Sequence, residues 1–456
     1  MAKTAKNKPK FLSVLLTAVF IAAGAFGVYK VCTYIESDPI PAFLRGETGT
    51  VASTQKTDKP ETTTEPAADE AVQQLADEIG KADDSLSAEF LAYCADHFDA
   101  EALEKVRDAI TGKDYDPEIW FTATGYSVHA IRAIAEDGVK DPGKSDKDTV
   151  EIGFVGKVNF GAMSSHAKDG KLSGCISADL LKLMNSMDVQ VANNEFTFSA
   201  DGSSAAFKAD AKTAAWYKEM GVDVVSTANI HINDYGTSGL TATLSALDEA
   251  GIAHIGAGAD LTEAAKPAYF IAGGRKIAFI GMGDTLEWKT VKAATGSSAG
   301  VLSLRKSMDA AKAAVKDARQ ESDFVFVYMS AGIDEKALWF DSDQSTWANA
   351  MIDAGADAVV GSHSSKLQGM QYYSGKLIAY GLGSFWYDEK TADSCLLKFT
   401  IDKEGNVKAY AVPCGQANGS VTLQTDAAKA NTFAHIRKYC GNVVTIGSDG
   451  VITKTR

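Results

Sequence analysis

From residue 149 onward the sequence alternates between short apolar runs and helix-like stretches, and this alternation constrains the fold more than any other feature. Short apolar runs bounded by turn residues are typical of buried strands. Between them lie amphipathic stretches at residues 240–250, 310–319 and 344–354, which predict helices. The order strand, helix, strand predicts a layered α/β domain. The predicted strands are residues 150–155, 189–192, 222–226, 253–256, 276–281, 324–328, 358–361 and 377–381.

The C-terminal part changes to an antiparallel pattern. Residues 394–401 and 407–412 alternate in the manner of paired strands, on either side of a turn at Glu404-Gly405. We place the α/β domain at residues 149–445 and a C-terminal tail at residues 446–456.

A small helical module at residues 69–140 precedes this domain. Its apolar residues recur at helical spacing in three stripes, and packing alone accounts for them. Asp116-Pro117 starts a further helix, with Asp as N-cap and Pro at the first position, that could continue towards Gly138. The stripes are Val72, Leu75 and Ile79; Leu86, Phe90, Cys94 and Phe98; and Leu103, Val106 and Ile110.

Residues 1–35 have the pattern of a cytoplasmic tail followed by a transmembrane signal-anchor. Four lysines at positions 3–10 precede an uncharged run, residues 11–29, that is about long enough to cross a bilayer as a helix. The lysines favour a cytoplasmic N-terminus, so we expect a single-pass cell-membrane protein with its C-terminal domain outside the cytoplasm. The small residues Ala23-Gly24-Ala25 leave a cleaved signal peptide open, which would also export the body. Residues 36–68, rich in Thr, Glu, Pro, Lys and Ser, predict a disordered stalk.

Charge and cysteine content argue against two function classes. The net charge of −14 argues against nucleic-acid binding, which needs a basic face. The six cysteines show no CxxC or similar metal-ligand spacing, so zinc–thiolate chemistry is not expected. Outside the cytoplasm a disulfide is permitted, with Cys414 and Cys440 as the candidate pair, and free buried thiols are the alternative.

Polar residues follow many of the predicted strands, where the sites of open α/β sheets are usually built. If the sheet is continuous, these residues converge on one edge. Carboxylate, amide and imidazole groups together would then suggest a divalent metal site. The alternative is a polar turn in which Asp234 or Thr237 caps the next helix. The residues concerned are Gly156-Lys157, Asn193-Asn194-Glu195, Asn229, His231, Asn233, Asp234, Met329-Ser330 and Ser362-His363.

Several motifs resemble those of the CapA family, the poly-γ-glutamate capsule synthesis proteins. Residues 228–236, Ala-Asn-Ile-His-Ile-Asn-Asp-Tyr-Gly, resemble the family's Ala-Asn-Asn-His-x-x-Asp-Tyr-Gly. Gly361-Ser362-His363 with Leu367-Gln368 resembles Gly-His-His-Pro-His-x-x-Gln, and residues 380–385 resemble Tyr-Ser-Leu-Gly-Asn-Phe. The resemblance extends over residues 149–445. It implies a calcineurin-like metallophosphoesterase fold, a layered β-sandwich flanked by helices.

The departures from the family's pattern concern its metal ligands. Lys157 stands where the family has the Asp of its first Gly-Asp motif, and Ile230 replaces the Asn of the Asn-His pair. Ser330-Ala331-Gly332 aligns with His-Trp-Gly, and positions 362, 364 and 365 are all Ser. A two-metal site needs several anionic and imidazole ligands, and an ammonium in place of a carboxylate reverses the local electrostatics. We therefore expect no cofactor and no dinuclear metal centre.

Without a dication, Glu195 needs another positive partner, because burying it alone would be costly. Lys157 lies at the matching position, so we predict a Lys157–Glu195 salt bridge in the vacated metal site. A divalent ion, if one binds, would use Glu195, His231 and His363. The two histidines are also the candidate catalytic residues. The predicted ligand cleft comprises Lys157, Asn193, Glu195, Asn229, His231, Asp234, His363 and Gln368.

Three functions remain open. The first is a non-catalytic CapA-like protein, a pseudoenzyme, that binds or scaffolds a capsule or cell-envelope polymer; the resemblance implies poly-γ-glutamate. The second is a metal-dependent phosphoesterase or polymer-processing hydrolase with an altered ligand set. The third is a structural interaction protein acting through the helical module. The missing ligands favour the first, whose partners would be the polymer or membrane proteins of its biosynthesis.

Overall fold

A computed structural model of the chain describes most of residues 66–455. The predicted membrane span at residues 11–29 and the predicted stalk up to residue 65 lie outside the described residues. In the described part, no helix is both long and apolar enough to cross a membrane. The described residues are 66–143, 149–167, 171, 172, 174–199, 207–286, 289–387, 391–440 and 443–455.

These residues form thirteen helices and twenty strands, with 3₁₀ turns at Ser164–His166 and Ala211–Ala215. The helices are α1 (Pro66–Ala82), α2 (Ala88–His97), α3 (Ala100–Ile110), α4 (Glu118–Thr124), α5 (Val128–Ala135), α6 (Phe160–Met163), α7 (Ala178–Met184), α8 (Trp216–Glu219), α9 (Gly236–Ala250), α10 (Leu261–Ala264), α11 (Met308–Glu321), α12 (Ser342–Ala354) and α13 (Asp426–Tyr439). The strands are β1 (Thr149–Val158), β2 (Val189–Asn194), β3 (Thr197–Ser199), β4 (Lys208–Asp210), β5 (Val224–Ser226), β6 (Ala253–Ile255), β7 (Ala257–Gly258), β8 (Ala268–Ala272), β9 (Arg275–Gly283), β10 (Gly300–Val301), β11 (Phe324–Ser330), β12 (Ala358–Ser362), β13 (Met370–Tyr373), β14 (Lys376–Ala379), β15 (Ser384–Trp386), β16 (Thr391–Asp402), β17 (Val407–Ala417), β18 (Ser420–Leu423), β19 (Val444–Ile446) and β20 (Val451–Lys454).

Helices α1 to α5 pack around one apolar core. Phe90 of α2 meets the ring of Trp120 edge-on, with the ring centroids 5.1 Å apart. The helix expected to run from Asp116 towards Gly138 is interrupted and forms α4 and α5 instead. Gly125 adopts a left-handed conformation with φ of 82° and ends α4, and the Ser127 hydroxyl then caps α5. Glycine reaches this conformation at little steric cost, so it stops a helix that the apolar spacing alone would continue.

Specific contacts attach α4 and α5 to the α/β part. The Ser127 N–H donates to the Gly274 carbonyl at 2.8 Å. Arg275 of β9 pairs with Glu118, donating from Nη1 to Oε2 at 2.9 Å. The Phe121 ring lies against the same guanidinium, with 3.6 Å from its central carbon to the ring centroid. These polar and cation–π contacts fix the two helices beside the start of β9.

Two separate sheets form the centre of the α/β part, which corrects the assumption of one continuous sheet. The larger has the order β19-β20-β17-β16-β1-β2-β5-β6, and the smaller has the order β13-β14-β12-β11-β9-β8. Strands β1, β2, β5 and β6 run parallel to one another, as do β9, β11, β12 and β14. An apolar run indicates that a strand is buried on both faces. A strand in either sheet is buried in this way, so the runs do not indicate which sheet a strand joins.

The two sheets face each other across a shared apolar core, and helices cover their outer faces. Phe154 of β1 lies 5.8 Å from Phe326 of β11, measured between ring centroids. Leu180 of α7 and Leu247 of α9 pack outside the larger sheet, and Val315 of α11 packs outside the smaller one. This order of layers confirms the predicted α/β class.

Two expectations for the C-terminal part need correction. Residues 451–454, which we assigned to a tail, form β20 and pair with β17. The Cys414–Cys440 disulfide does not form, and all cysteines among the described residues are free. Cys414 lies in the core outside the larger sheet and Cys440 in the core between the sheets, so the sheet separates the thiols. Burial raises the pKa of Cys414 to about 12 and that of Cys440 to about 11, which makes both unreactive.

Candidate functional site

The candidate site lies where the carboxyl ends of parallel strands from both sheets meet. Asn193 of β2 donates from Nδ2 to the Ser362 hydroxyl of β12 at 2.9 Å, which links the two sheets directly. Lys157 near the end of β1 reaches across in the same way and donates from Nζ to the His363 carbonyl at 3.2 Å. The predicted convergence of polar residues therefore occurs between two sheets rather than along one.

Gly156 explains how β1 can bring Lys157 so close to the neighbouring chain. A Cβ at this position would lie 2.0 Å from the Gly383 carbonyl oxygen, which no side chain tolerates. The β1–β2 register also shifts between Phe154 and Lys157. A glycine next to an irregular step in the ladder lets the strand re-aim the following side chain into the interior.

Lys157 and Glu195 form the predicted ion pair, with Nζ 3.1 Å from Oε1 and both side chains 0% exposed. The contact is ionic rather than a well-directed hydrogen bond, since Oε1 has no aligned donor among the described residues. Lys157 Nζ donates hydrogen bonds to the His363 carbonyl and, at 3.3 Å, to the Ser365 hydroxyl. It also lies 4.2 Å from the centroid of the Tyr387 ring. The ammonium thus exchanges its water shell for a carboxylate, two oxygens and an aromatic face.

A chain of amide groups extends from Glu195 to His231. Glu195 Oε2 accepts from Asn193 Nδ2 at 2.7 Å, and Asn193 Oδ1 accepts from Asn229 Nδ2 at 3.0 Å. Asn229 Oδ1 in turn accepts the His231 backbone N–H at 3.1 Å. Burial raises the pKa of Glu195, although the nearby Lys157 and His231 oppose that effect. The network holds the predicted cleft residues in one arrangement, because each amide is oriented by the next.

His231 is oriented by Asp234, whose Oδ2 lies 2.7 Å from Nδ1. Asp234 Oδ1 accepts from the Thr290 hydroxyl at 2.6 Å. The expectation that Asp234 or Thr237 caps α9 is wrong: Tyr235 is the N-cap residue, and Thr237 lies within the helix. In the neutral tautomer that donates Nδ1–H to this carboxylate, Nε2 would be an acceptor. That Nε2 atom is buried and has no hydrogen-bond partner within the described part of the chain.

The other candidate histidine, His363, is almost fully buried in a strained backbone conformation. Its φ is +101°, in the left-handed region that non-glycine residues rarely adopt and that is often found at functional sites. Burial, with the nearby Lys157 ammonium, lowers the pKa of His363 to about 3, so the imidazole is neutral at physiological pH. Its Nε2 atom is likewise buried without a partner among the described residues.

Gln368, the last predicted cleft residue, has a positioning role. Its Nε2 donates to the Trp339 carbonyl at 3.1 Å, and its Oε1 accepts from Gln344 Nε2 at 3.1 Å. One end of the amide is therefore bonded to the segment that follows β11, and the other end to α12. We call residues 331–341, which lie between β11 and α12, the strap.

The strap is part of the site, although little in the sequence indicated it. Glu335 of the strap pairs with Lys289, which lies in the loop between β9 and β10 that we call the facing loop; Lys289 Nζ is 2.7 Å from Glu335 Oε1. Elsewhere in the site, the Phe207 ring stacks on His231, with 3.7 Å between centroids. Lys289, Glu335 and Phe207 lie in loops without periodicity or a motif. The indication closest to the strap in the sequence was the Met329-Ser330 pair at the end of β11, where Ser330 is polar.

The side chains present do not fit a dinuclear metal centre. In the ranges that the structure describes, no three His, Cys, Asp or Glu side chains converge closely enough to hold a metal ion. The Lys157 ammonium, which stands where the family's motif has an Asp, is instead bonded to Glu195, the His363 carbonyl and the Ser365 hydroxyl. Ile230 is 2% exposed and packs in an apolar cluster with Leu240 and Leu244, so it offers no donor atom. A dication would face an ammonium in place of an anionic ligand.

The family model described as "Bacterial capsule synthesis protein PGA_cap" matches residues 151–389. The chain is 31% identical over 230 residues to "Capsule biosynthesis protein CapA" of Bacillus anthracis, covering 48% of this chain and 54% of that protein. It is 28% identical over 280 residues to "PGA biosynthesis protein CapA" of Bacillus subtilis, covering 58% of this chain and 71% of that protein. The chain therefore spans about half to seven-tenths of the length of these relatives.

Among solved structures, a hypothetical protein from Thermus thermophilus is similar to 58% of this chain over 99% of its own length. The identity is 15% and the TM-score 0.36, too weak a likeness to assign a fold. The match to the family model covers more than half of the 456 residues and agrees with the motifs at residues 228–236 and 361–368. This chain belongs to the bacterial capsule synthesis protein family PGA_cap, the CapA family.

Proposed function

We propose that this chain takes part in the biosynthesis or anchoring of a capsule or cell-envelope polymer, by binding or scaffolding rather than by catalysis. The names of its Bacillus relatives support the capsule assignment, and poly-γ-glutamate is the polymer that the family resemblance implies. In this proposal the domain is a metallophosphoesterase-like scaffold whose metal chemistry has been replaced by an internal ion pair.

The observation that carries the proposal is the fully buried Lys157–Glu195 pair. A hydrolase of the two-metal type needs the ions to clamp both the attacking and the leaving oxygen. Here Lys157 lies at the centre of the site and donates to the Ser365 hydroxyl, while Asn193 donates to Glu195 and to the Ser362 hydroxyl. These groups stabilise a closed interior and leave few of their atoms available to activate a water molecule.

The buried imidazoles favour a second candidate, a phosphoesterase or polymer-processing hydrolase with an altered ligand set. The Nε2 atoms of His231 and His363 lack partners in the described residues, and unpaired ring nitrogens are suited to a divalent ion or a proton transfer. Asp234 orients His231 as a carboxylate orients a catalytic histidine. In this candidate Glu195, His231 and His363 would have to move together to hold an ion, because no three such side chains converge in the residues that the structure describes.

Polymer binding and turnover, measured on the same sample, separate the two candidates. The full-length chain, purified in detergent, is titrated with fluorescently labelled poly-γ-glutamate and then assayed with a generic phosphodiester and Mn²⁺. The proposal predicts saturable polymer binding and hydrolysis no faster than the buffer control. Turnover that chelation abolishes, and that His231→Asn also abolishes, would establish the second candidate instead.

The membrane placement is a separate part of the proposal. Residues 1–35 supply the anchor, so the full-length chain sediments with membranes and the domain is digested by protease added outside intact cells. A matched chain lacking residues 1–35 is expected to stay in the soluble fraction. Equal membrane association of both chains would show that the N-terminal segment is not the anchor.

A further inference from the structure

The strap lies between segment 364–368 and the loop that carries Lys289, and different kinds of contact hold it to each; we call this solvent-accessible edge of the site the mouth. Three alternate carbonyl groups of the strap face the segment 364–368. The Glu335 carbonyl accepts from the Ser365 N–H at 2.6 Å, the Ala337 carbonyl from the Ser364 hydroxyl at 2.7 Å, and the Trp339 carbonyl from Gln368 Nε2 at 3.1 Å. Towards the facing loop, the strap extends the Glu335 carboxylate to Lys289. The backbone therefore anchors one side, and an ion pair closes the other.

Two lysines of the site each have a glutamate partner within the chain. Lys157 is matched by Glu195 in the interior, and Lys289 is matched by Glu335 at the mouth. Burial alone would raise the pKa of Glu335, but Lys289 and Lys157 outweigh it and hold the pKa below its usual value. The surroundings of Glu335 are thus those of a site that favours a carboxylate.

Solvent access distinguishes the two positions. The Lys157 and Glu195 side chains are fully buried, whereas those of Lys289 and Glu335 are 23% and 29% exposed. A ligand in solution can reach the outer lysine without opening the core. Exchange of one carboxylate for another at Lys289 also leaves the net charge of the contact unchanged, so it avoids the cost of an unpaired ammonium.

We propose that Lys289 is the carboxylate-binding position of the cleft, and that Glu335 occupies it as an internal substitute until a carboxylate of a polyanionic chain displaces it. This inference rests on the proposed function and names its ligand class: a polymer with closely repeated carboxylates. Such a polymer is favoured over a single carboxylate, because neighbouring groups on the same chain rebind at high effective concentration. The strap stays attached through its carbonyl groups during the exchange.

Glu335→Gln tests the proposal, because it removes the internal competitor and keeps the size of the side chain. Binding of labelled poly-γ-glutamate to the full-length protein is measured for the wild type, Glu335→Gln, Lys289→Met and Glu404→Gln. Glu404 is exposed in the turn between β16 and β17, so Glu404→Gln changes the net charge equally at a distant place. We expect about five- to tenfold tighter binding for Glu335→Gln, from the loss of one partly exposed competing ion pair. Glu404→Gln is expected to match the wild type, and Lys289→Met to bind at least about tenfold more weakly.

The outcomes separate this proposal from the function on which it rests. Binding by the wild type that Glu335→Gln does not tighten overturns the competition but leaves polymer binding intact. No binding by any variant, Glu335→Gln included, overturns both. If Glu335→Gln and Glu404→Gln tighten polymer binding equally, the effect is due to net charge alone. That result would overturn the proposal that Lys289 is a defined carboxylate-binding position. Hydrogen exchange at the Ser365 amide checks that the strap remains attached. If Glu335→Gln does not fold, Glu335→Asp replaces it. Glu335→Asp is expected to bind the polymer more tightly than the wild type does, but with a smaller gain than that expected for Glu335→Gln.

Discussion

Two of the lysine–glutamate pairs among the described residues belong to the candidate site and lie at different depths. Lys157–Glu195 is fully enclosed, with hydrogen bonds from the ammonium to a carbonyl and a hydroxyl and an aromatic ring beside it. Lys289–Glu335 has the shorter distance, 2.7 Å against 3.1 Å, but lies at the edge of solvent. Distance alone would therefore rank the two pairs in the wrong order of structural importance.

The difference in exposure gives the same kind of ion pair two roles, one structural and one exchangeable. In the interior, loss of either partner leaves a charge that water cannot reach, so the pair is fixed once formed. At the mouth, water and ions can replace either partner, so the pair contributes little to folding and can be exchanged. We interpret the inner pair as the structural replacement for a metal centre and the outer pair as the adaptable part of the site.

The largest expected effect comes from breaking the inner pair. Lys157→Met leaves Glu195 buried without its cation, and the free energy of unfolding should fall by about 3–5 kcal/mol. Denaturant titration at neutral pH measures the change. A loss below about 1 kcal/mol would mean that Glu195 does not depend on Lys157, and the distinction between the pairs would fail.

The double variant Lys157→Met, Glu195→Gln serves as the control. It removes both charges and keeps an amide that can bond to Asn193, so it should be clearly more stable than Lys157→Met alone. Additive losses would indicate that the single change acted through packing rather than through the stranded carboxylate.

A smaller effect is expected from the pH dependence of His363, which lies beside the inner pair. Burial lowers its pKa to about 3 from the usual 6.5 of an unfolded chain. Between these values only the unfolded state binds the extra proton. The contribution of the neutral His363 to the free energy of unfolding is therefore fully present above about pH 6.5. It is lost as the pH falls towards the pKa of His363 in the folded state. From about pH 7 to about pH 5 this residue should account for about 2 kcal/mol of lost stability.

His363→Asn isolates that contribution, because Asn does not titrate and tolerates a positive φ better than most residues. The difference in unfolding free energy between wild type and variant should shrink by about 2 kcal/mol over the same pH interval. Parallel stability curves for the two proteins would show that His363 titrates normally and is not buried as the structure has it.

The smallest effect is expected at the outer pair. Lys289→Met, chemically the same change as Lys157→Met, should alter the unfolding free energy by less than about 1 kcal/mol, since both partners remain reachable by solvent. Thermal and denaturant unfolding of the two variants side by side give the comparison directly. Equal losses would mean that burial does not separate the two pairs.

The sequence predicted the central strands from local apolar runs, and the inner pair from the family resemblance and the residues that depart from it. Buried strands such as β1 and β11 need continuous apolar runs, and the replacement of an acidic motif position by Lys157 leaves Glu195 with one evident partner. The assignment of strands to sheets could not be read in the same way. Phe154 and Phe326 are equally apolar, and nothing in either run states that they face each other across two sheets.

Other features depend on contacts between segments that are distant in sequence. The interruption between α4 and α5 depends on the conformation of Gly125, whereas the apolar spacing continues past it. Asp234 could equally have capped α9 or oriented His231, and its position beside the ring decided between them. The Glu335–Lys289 pair joins two loops 46 residues apart that carry no periodicity.

Elemental analysis of the purified full-length chain tests the central claim most directly, after growth in medium containing manganese, iron and zinc. Because Lys157 replaces the Asp of the family's motif and its ammonium is paired with Glu195, we predict far less than one divalent ion per chain, with or without added metal. Two tightly held ions per chain that survive dialysis would contradict the account, and the protein would then have to be treated as a metal-dependent hydrolase.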